Sequence, residues 1–262
     1  MKRQTLNARL VREAEFFDQV YAQKVDYSDL ILSENDKRRY VNPPANTIFP
    51  KEYYYHLLAP LRGKRILEIA CGEGIDTCIA AYNEAEVYAY DISKAAIDLT
   101  RKRAEANNLS SRVHLQVCDE LDHAFVGEQF DAIIGFAALH HLPLPKLGEK
   151  LHRRLQVGGF AMFAEPVVNS QVLVTLRNLI PYRPGEITED EEPLNDHVIA
   201  EIAKPLDRIC RREFECVARM YRLFPQRKKL VRAVFWLDRW LLAIKPLRRF
   251  ASLVVFALYR DK

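Results

Sequence analysis

The sequence predicts an α/β fold: a doubly wound, mostly parallel sheet with helices on both faces. From residue 64 onward, short apolar runs alternate with helical stretches, and the runs are continuously apolar rather than alternating with polar residues. Such strands indicate a sheet buried on both faces, whose helical crossovers are right-handed. The predicted strands are 65–69, 87–90, 113–117, 132–135 and 160–164, and the predicted helices between them are 75–82, 94–108 and 144–155.

Length and composition are those of an ordinary globular protein. The chain has 262 residues, 49% of them hydrophobic and 28% charged, with a formal net charge of +4. This supplies the core of one decorated α/β domain, and the charge is too small to require a nucleic-acid partner. The five cysteines include no CxxC pair typical of a zinc or redox site, so we expect reduced thiols, no metal site and a cytoplasmic location.

Targeting signals are not predicted. Residues 1–10 are polar and charged, unlike a secretory signal. The longest apolar run, about 251–259, is shorter than the roughly 20 residues that span a bilayer.

We expect an N-terminal helical lid over 1–60 and the main α/β domain over 61–262. Helical spacing predicts helices at 6–22 and 51–61, whereas 25–50 has no period and is predicted as a loop. The aromatic residues of the N-terminal stretch either cover a ligand or pack onto the sheet. Beyond Pro166 the pattern changes, and we expect substrate-specific insertions at about 167–205 and 225–248, helices at 172–179, 196–203 and 230–244, and strands at 212–221 and 250–259.

A glycine-containing loop joins the first predicted strand to the next helix. Its sequence from Glu68 to Gly74 is EIACGEG. Small residues at Ala70, Gly72 and Gly74 permit a tight turn and a close approach of backbone to a ligand. The helix that follows points its free N–H groups at the same place. The loop is therefore a candidate binding site, and a simple strand-to-helix turn is the alternative.

Two acids follow the next two predicted strands. Asp91 lies where a carboxylate can accept hydrogen bonds from both hydroxyls of a ribose. The alternative is that Asp91 caps the helix near Lys94, although Ser93 is better placed as the cap. Asp119 can accept a hydrogen bond from an adenine amino group, or it is a solvated loop acid.

These segments together resemble the class I S-adenosylmethionine (SAM)-dependent methyltransferases of the small-molecule branch. The glycine loop resembles their first motif, and Asp91 and Asp119 resemble their ribose-binding and adenine-contacting acids. Segments 130–142 and 250–259 resemble their fourth strand with its helix and their antiparallel seventh strand. The resemblance implies SAM as cofactor and a seven-stranded sheet whose last strand is antiparallel. The cofactor-binding residues that it implies are Glu68, Ala70, Cys71, Gly72, Gly74, Asp91, Ile92, Asp119, Glu120, Gly135 and Phe136.

Three features bear on this resemblance. The family usually has glycine at the position of Ala70, and alanine is compatible if the backbone there does not need positive φ. A nicotinamide-binding fingerprint needs a third glycine where this chain has Thr77. The tetrapeptide NPPA that begins at Asn42 precedes the first motif and ends in alanine, so it is interpreted as a turn and not as a marker of base N-methylation.

A base is needed only if the acceptor loses a proton. The candidates are His141, His140 and Glu165, which follow the fourth and fifth strands, with His197 a weaker one. A structural role for the histidine pair is the alternative.

The predicted function is methyl transfer to a small-molecule acceptor, most simply O-methylation. The alternatives are a membrane-associated lipid, quinone or polyprenyl acceptor, and a non-catalytic SAM-binding module. Segment 208–249 interleaves many cations with Phe235, Trp236 and Trp240. It is interpreted as a peripheral contact with the inner face of a membrane, as an RNA-binding face, or as a packed helix with a solvated basic side.

Overall fold

The computed structural model describes residues 2–22, 27–170, 193–218 and 227–262. Seven strands form one sheet in the order β3-β2-β1-β4-β5-β7-β6. In chain order they are β1 Arg65–Ile69, β2 Glu86–Asp91, β3 Val113–Val117, β4 Phe130–Phe136, β5 Leu155–Pro166, β6 Arg208–Phe214 and β7 Leu253–Tyr259. The α-helices of the described ranges are α1 Lys2–Ala22, α2 Glu34–Arg39, α3 Pro50–Leu58, α4 Ile75–Tyr82, α5 Lys94–Ala106, α6 Leu147–Arg154, α7 Asp196–Ala203 and α8 Lys228–Ala243.

The strand directions confirm the predicted fold class. Strands β1 to β5 pair in parallel, and β7 is antiparallel to both β5 and β6. Buried side chains form one apolar cluster on each face of the sheet, because the central strands have no polar face. Parallel packing brings the carboxyl ends of β1, β2 and β4 to one edge, where loops carrying polar residues meet.

Two predictions about local structure are wrong. The predicted loop at 25–50 contains the 3₁₀ helix Tyr27–Leu30 and helix α2. Helix α2 is entirely polar and has no apolar period, but Ser33 caps it by accepting a hydrogen bond from the backbone N–H of Asp36 at 3.0 Å. The strand predicted at 212–221 is β6, which begins at Arg208 and ends at Phe214 because pairing with β7 sets its register. The helix predicted at 172–179 and residues 219–221 of the predicted strand lie outside the described residues.

The boundary predicted at residue 60 does not divide the core. Tyr54, Tyr55 and Leu58 of α3 are fully buried in the same apolar cluster as Ile66 of β1. Helix α1 packs on α5, where Asp18 accepts hydrogen bonds from the Ser93 hydroxyl at 2.6 Å and the Ala95 N–H at 2.9 Å. Helix α3 therefore shares a core with the sheet, whereas α1 lies over its ligand edge.

The predicted insertion at 225–248 falls between β6 and β7. It contains α8 and most of the 3₁₀ helix Lys245–Phe250. None of the helices in the described ranges is long and apolar enough to cross a membrane.

Candidate functional site

A cavity of about 320 Å³ lies at the carboxyl ends of β1, β2 and β4, beneath α1. We call it the glycine-loop cavity. Its size is that of small-molecule sites, and most of the charged side chains that line it are carboxylates. The lining includes Leu10, Glu13, Phe17, Tyr21, Lys51, Glu68, Ala70, Cys71, Gly72, Glu73, Ile75, Asp76, Tyr90, Asp91, Ile92, Cys118, Asp119, Phe136, Ala137, His141 and Leu142.

The glycine loop uses three left-handed backbone conformations. The φ angles of Ala70, Gly72 and Gly74 are 54°, 52° and 70°. Alanine was expected to be compatible at position 70 if the backbone there did not need a positive φ. The φ of Ala70 is positive, so this alanine carries a steric cost that glycine would not. The two glycines are required by space as well. A Cβ at Gly72 would lie 2.8 Å from the Tyr21 hydroxyl, and a Cβ at Gly74 would lie 2.6 Å from the Thr100 side chain.

Asp91 holds the loop in place. One carboxylate oxygen accepts a hydrogen bond from the N–H of Gly72, and the other accepts one from the N–H of Ser93, both at 2.9 Å. The Ser93 hydroxyl caps α5 by accepting from the N–H of Ala96 at 3.0 Å, so Asp91 is not the helix cap. Burial raises the pKa of Asp91, and the two N–H groups oppose that rise. A buried carboxylate thus lies beside the tightest turn of the loop.

Glu68 is a second buried carboxylate of the cavity. Burial, reinforced by the charge of Asp76, raises its pKa to about 8, although the Thr77 hydroxyl donates a hydrogen bond to it. Lys51 lies near this pair and forms an ion pair with Asp76 at 2.9 Å. Burial lowers the pKa of Lys51, but the charge and hydrogen bond of Asp76, together with the charges of Tyr40 and Glu68, outweigh burial and the net shift is upward. Carboxylates still outnumber the cations that line the cavity, so the site favours a positively charged ligand.

The structure brings most of the predicted cofactor-binding residues together. Asp119 lines the mouth of the cavity, where its half-exposed carboxylate lies 3.2 Å from His123. Glu120 is not among the lining residues, because its carboxylate pairs with Lys150 at 3.0 Å. Gly135 is also outside the lining and packs against Phe163. The predicted residues that line the cavity are Glu68, Ala70, Cys71, Gly72, Asp91, Ile92, Asp119 and Phe136, while Gly74 begins α4 behind it.

The candidate bases divide into two groups. His141 lines the cavity, and its ring lies edge-on to Phe17 at 5.3 Å between centroids. His140 and Glu165 are buried and paired at 2.8 Å. The other oxygen of Glu165 accepts hydrogen bonds from two N–H groups of the turn after β4, each at 2.9 Å. This pair holds the turn that carries His141, whereas His197 is exposed on α7 near Glu201.

The comparisons with known proteins agree with this geometry. Residues 66–159 match the family model described as a methyltransferase domain. The chain has the class I, Rossmann-like fold, and over residues 66–159 it is similar to a methyltransferase domain. The crystal structure of geranyl diphosphate C-methyltransferase from Streptomyces coelicolor A3(2), in complex with Mg²⁺, geranyl diphosphate and S-adenosyl-L-homocysteine, is similar over 96% of this chain and 97% of that one, with a TM-score of 0.62 and 15% identity. At that identity the likeness shows the fold.

Two curated relatives are methyltransferases of quinone pathways by name. Demethylmenaquinone methyltransferase of Clavibacter sepedonicus is 31% identical over 109 residues, 41% of this chain and 43% of the relative. Ubiquinone biosynthesis O-methyltransferase of Coxiella burnetii is 27% identical over 193 residues, 64% of this chain and 80% of the relative. The chain spans less than half the length of several curated relatives that it matches.

Residues outside the matched segment complete the glycine-loop cavity. Glu13 of α1 is 4% exposed, accepts a hydrogen bond from Arg9 at 3.1 Å and lies 3.8 Å from Nδ1 of His141. Arg9 also donates to the carbonyl of His140 at 3.2 Å. Glu13 and Lys51 are not among the site residues predicted from the sequence, because each is one charged residue on a helix. Glu13 follows Arg9 by four residues on the polar face of α1, and this spacing does not indicate that its side chain is buried.

Proposed function

We propose that this protein is a SAM-dependent methyltransferase that acts on a small-molecule acceptor by O-methylation. The observation that carries the proposal is the position of Asp91, a buried carboxylate hydrogen-bonded to the glycine loop at the ligand edge of the sheet. Its position agrees with the ribose-binding role that the sequence predicts. The matched methyltransferase domain and the S-adenosyl-L-homocysteine in a similar solved structure support the same cofactor.

The chemistry of the cavity suits this cofactor. SAM carries a sulfonium and an ammonium group, and a cavity whose ionisable lining is mainly acidic attracts both charges. Glu68 and Asp76 would lie toward the methionine part and Asp91 toward the ribose, with Asp119 at the adenine end. When bound, SAM supplies a methyl group on a sulfonium, which is activated for in-line displacement.

The protein contributes alignment and proton transfer. Helix α1 covers the cavity with Phe17 and Tyr21 and limits the access of water. We assign His141 as the base that takes the acceptor's proton, with Glu13 as a positioning residue that orients the imidazole and stabilises its charged form. Arg9 bridges Glu13 and the histidine turn, so α1 and that turn form one unit.

A membrane-associated quinone, lipid or polyprenyl acceptor is the second candidate. The names of the relatives favour it, since they include demethylmenaquinone and ubiquinone pathway enzymes. It implies a peripheral location at a membrane. A non-catalytic SAM-binding module is the third candidate, and steady formation of S-adenosylhomocysteine with any acceptor would eliminate it.

The proposal is tested by calorimetric titration of SAM into the wild type and Asp91→Ala. We expect the variant to lose roughly 1.5–3 kcal/mol of binding free energy, the range for a lost hydrogen bond to a charged group. Asp98→Ala is the control, because Asp98 is a solvated acid on α5 paired with Lys94 and Arg101. Wild-type affinity in Asp91→Ala, or no binding of SAM by the wild type, would refute the proposal.

A further inference from the structure

Helix α8 presents an apolar face to solvent. Its inner side is buried through Phe235 and Leu242, yet large apolar side chains also line its outer side. Trp240 is 71% exposed and Ile244, just beyond the helix, is 54% exposed. A helix of a globular protein normally buries its apolar side chains and exposes polar ones. The exposed stripe consists of Leu230, Trp236, Leu237, Trp240 and Ile244.

A second cavity, of about 460 Å³, opens beside this stripe between α3, β6 and α8. We call it the arginine cavity, because Arg211, Arg212, Arg239 and Arg248 line it. The guanidinium of Arg212 donates to the carbonyl of Thr47 at 2.7 Å, and that of Arg239 donates to the carbonyl of Asn46. Arg239 also lies over the ring of Trp236, which joins the cavity to the exposed stripe.

Only one of the four arginines of this cavity, Arg211, has a carboxylate partner among the described residues. Burial and the nearby Arg239 lower the pKa of Arg212. The cavity has two acids, but Glu213 pairs with Arg211 at 2.9 Å, and Asp238 accepts hydrogen bonds from the N–H groups of residues 215, 217 and 218. Among the described residues, no carboxylate forms an ion pair with Arg212, Arg239 or Arg248. Charged groups held this way favour an external anion.

The charge of the whole segment points the same way. Residues 227–252 contain eight lysines and arginines and a single acid, Asp238, which is buried. An apolar stripe with two tryptophans, bordered by cations, is the composition of helices that lie in the interface of an anionic bilayer. A second copy of this chain would place positive charge against positive charge, so we do not assign the surface to a dimer.

We propose that this surface binds an anionic phospholipid membrane, with α8 lying in the interface and a lipid phosphate held in the arginine cavity by Arg239 and Arg248. The stripe would enter the headgroup region, where tryptophan is favoured. This inference depends on the exposed stripe and the arginine cavity alone, and it does not depend on the proposed methyl transfer.

Trp236 and Trp240 are the only tryptophans of the chain, so intrinsic tryptophan fluorescence reports on this stripe alone. We expect a blue shift and co-sedimentation with vesicles of phosphatidylcholine and phosphatidylglycerol, and neither with phosphatidylcholine alone. High salt should weaken binding, because it screens the attraction. Arg239→Gln combined with Arg248→Gln should lower the partition coefficient on the order of 30-fold, since each cation near such a surface contributes about 1 kcal/mol.

The matched control removes the same charge elsewhere. Arg101→Gln combined with Lys102→Gln alters exposed cations of α5, near β3 at the opposite edge of the sheet, and should leave vesicle binding unchanged. Trp240→Ala is the second test variant. Its exposed side chain can be removed without disturbing the fold, and its loss should weaken binding to anionic vesicles.

Several results would overturn the inference. They are no binding of the wild type to anionic vesicles, equal binding to neutral ones, and equal loss of binding in the α5 control. RNA binding or concentration-dependent self-association through Trp240, without vesicle binding, would assign the surface to a different partner. SAM is titrated into the same samples, so that a failure of membrane binding can be distinguished from a failure of the proposed function.

Discussion

The glycine-loop cavity and the arginine cavity have similar sizes and opposite charge. The first, about 320 Å³, is lined by carboxylates such as Glu13, Glu68 and Asp91, whereas the second, about 460 Å³, is lined by arginines. In the first cavity burial raises the pKa of Asp91, and in the second it lowers the pKa of Arg212. Each site is costly to leave without a counterion, so each favours a ligand of the opposite charge.

The two cavities also differ in how they are built. The carboxylates of the first include Glu68 and Asp91 on the central strands β1 and β2, whose apolar side chains belong to the two apolar clusters of the sheet. The arginines of the second lie on the edge strand β6, on α8 and on the 3₁₀ helix that follows it. Two of them, Arg212 and Arg239, hold the loop at 45–47 through its carbonyl groups. A central position suits chemistry that needs alignment, and an edge position suits docking.

The largest expected effect concerns His141. If it is the base of the glycine-loop cavity, His141→Ala should lower turnover by about 10²–10⁴-fold, the contribution of general base catalysis, with SAM affinity unchanged. Glu13→Gln should lower turnover less and shift its pH profile, because the imidazole loses a nearby carboxylate. His197→Ala, at an exposed position on α7, is the control in the same steady-state assay. Wild-type turnover in His141→Ala would show that His141 is not the base.

The second expected effect is a pH dependence of SAM binding. It arises from Glu68 of the glycine-loop cavity, and the arginine cavity would not produce it. The pKa of Glu68 is raised to about 8, so below that pH the free protein holds a proton there. A cationic ligand favours the charged carboxylate, and binding must release the proton. Affinity should therefore rise with pH by up to about tenfold per unit below pH 8 and level off above it.

Calorimetry in buffers of different ionisation enthalpy measures the proton release directly. Glu68→Gln should abolish both the release and that part of the pH dependence. The raised pKa also affects stability. As pH rises from the pKa that Glu68 has in the unfolded chain toward 8, the contribution of Glu68 to the free energy of unfolding of the SAM-free protein decreases. An unchanged pH dependence in Glu68→Gln would show that Glu68 does not face the cation.

The smallest effect is on stability and concerns Ala70. Its φ of 54° costs an alanine about 1–2 kcal/mol, and glycine avoids this strain but loses more backbone entropy on folding. Ala70→Gly should therefore stabilise the protein by roughly 0.5–1 kcal/mol in denaturant unfolding. Ala233→Gly, at an exposed position within helix α8, should destabilise it by a similar amount. A loss of stability in Ala70→Gly would mean that the loop relaxes around the alanine.

The local pattern of the sequence was enough to predict the sheet and the ligand edge. Strands β1 and β3 and helices α4 and α7 have the predicted bounds, because continuous apolar runs and helical periods arise from neighbouring residues. Asp91 and the glycine loop were also predicted, since the end of a parallel strand marks the ligand edge by itself.

Tertiary structure alone decided which charged side chains face the cavities. Glu13 and Lys51 reach the glycine-loop cavity from α1 and α3, whereas Glu120, beside Asp119 in sequence, turns away to Lys150. The extent of β6 and the left-handed backbone of Ala70 likewise depend on distant partners. A residue's neighbours in the chain determine its helix or strand propensity, but its charge acquires a function only through groups that the fold brings within a few ångströms.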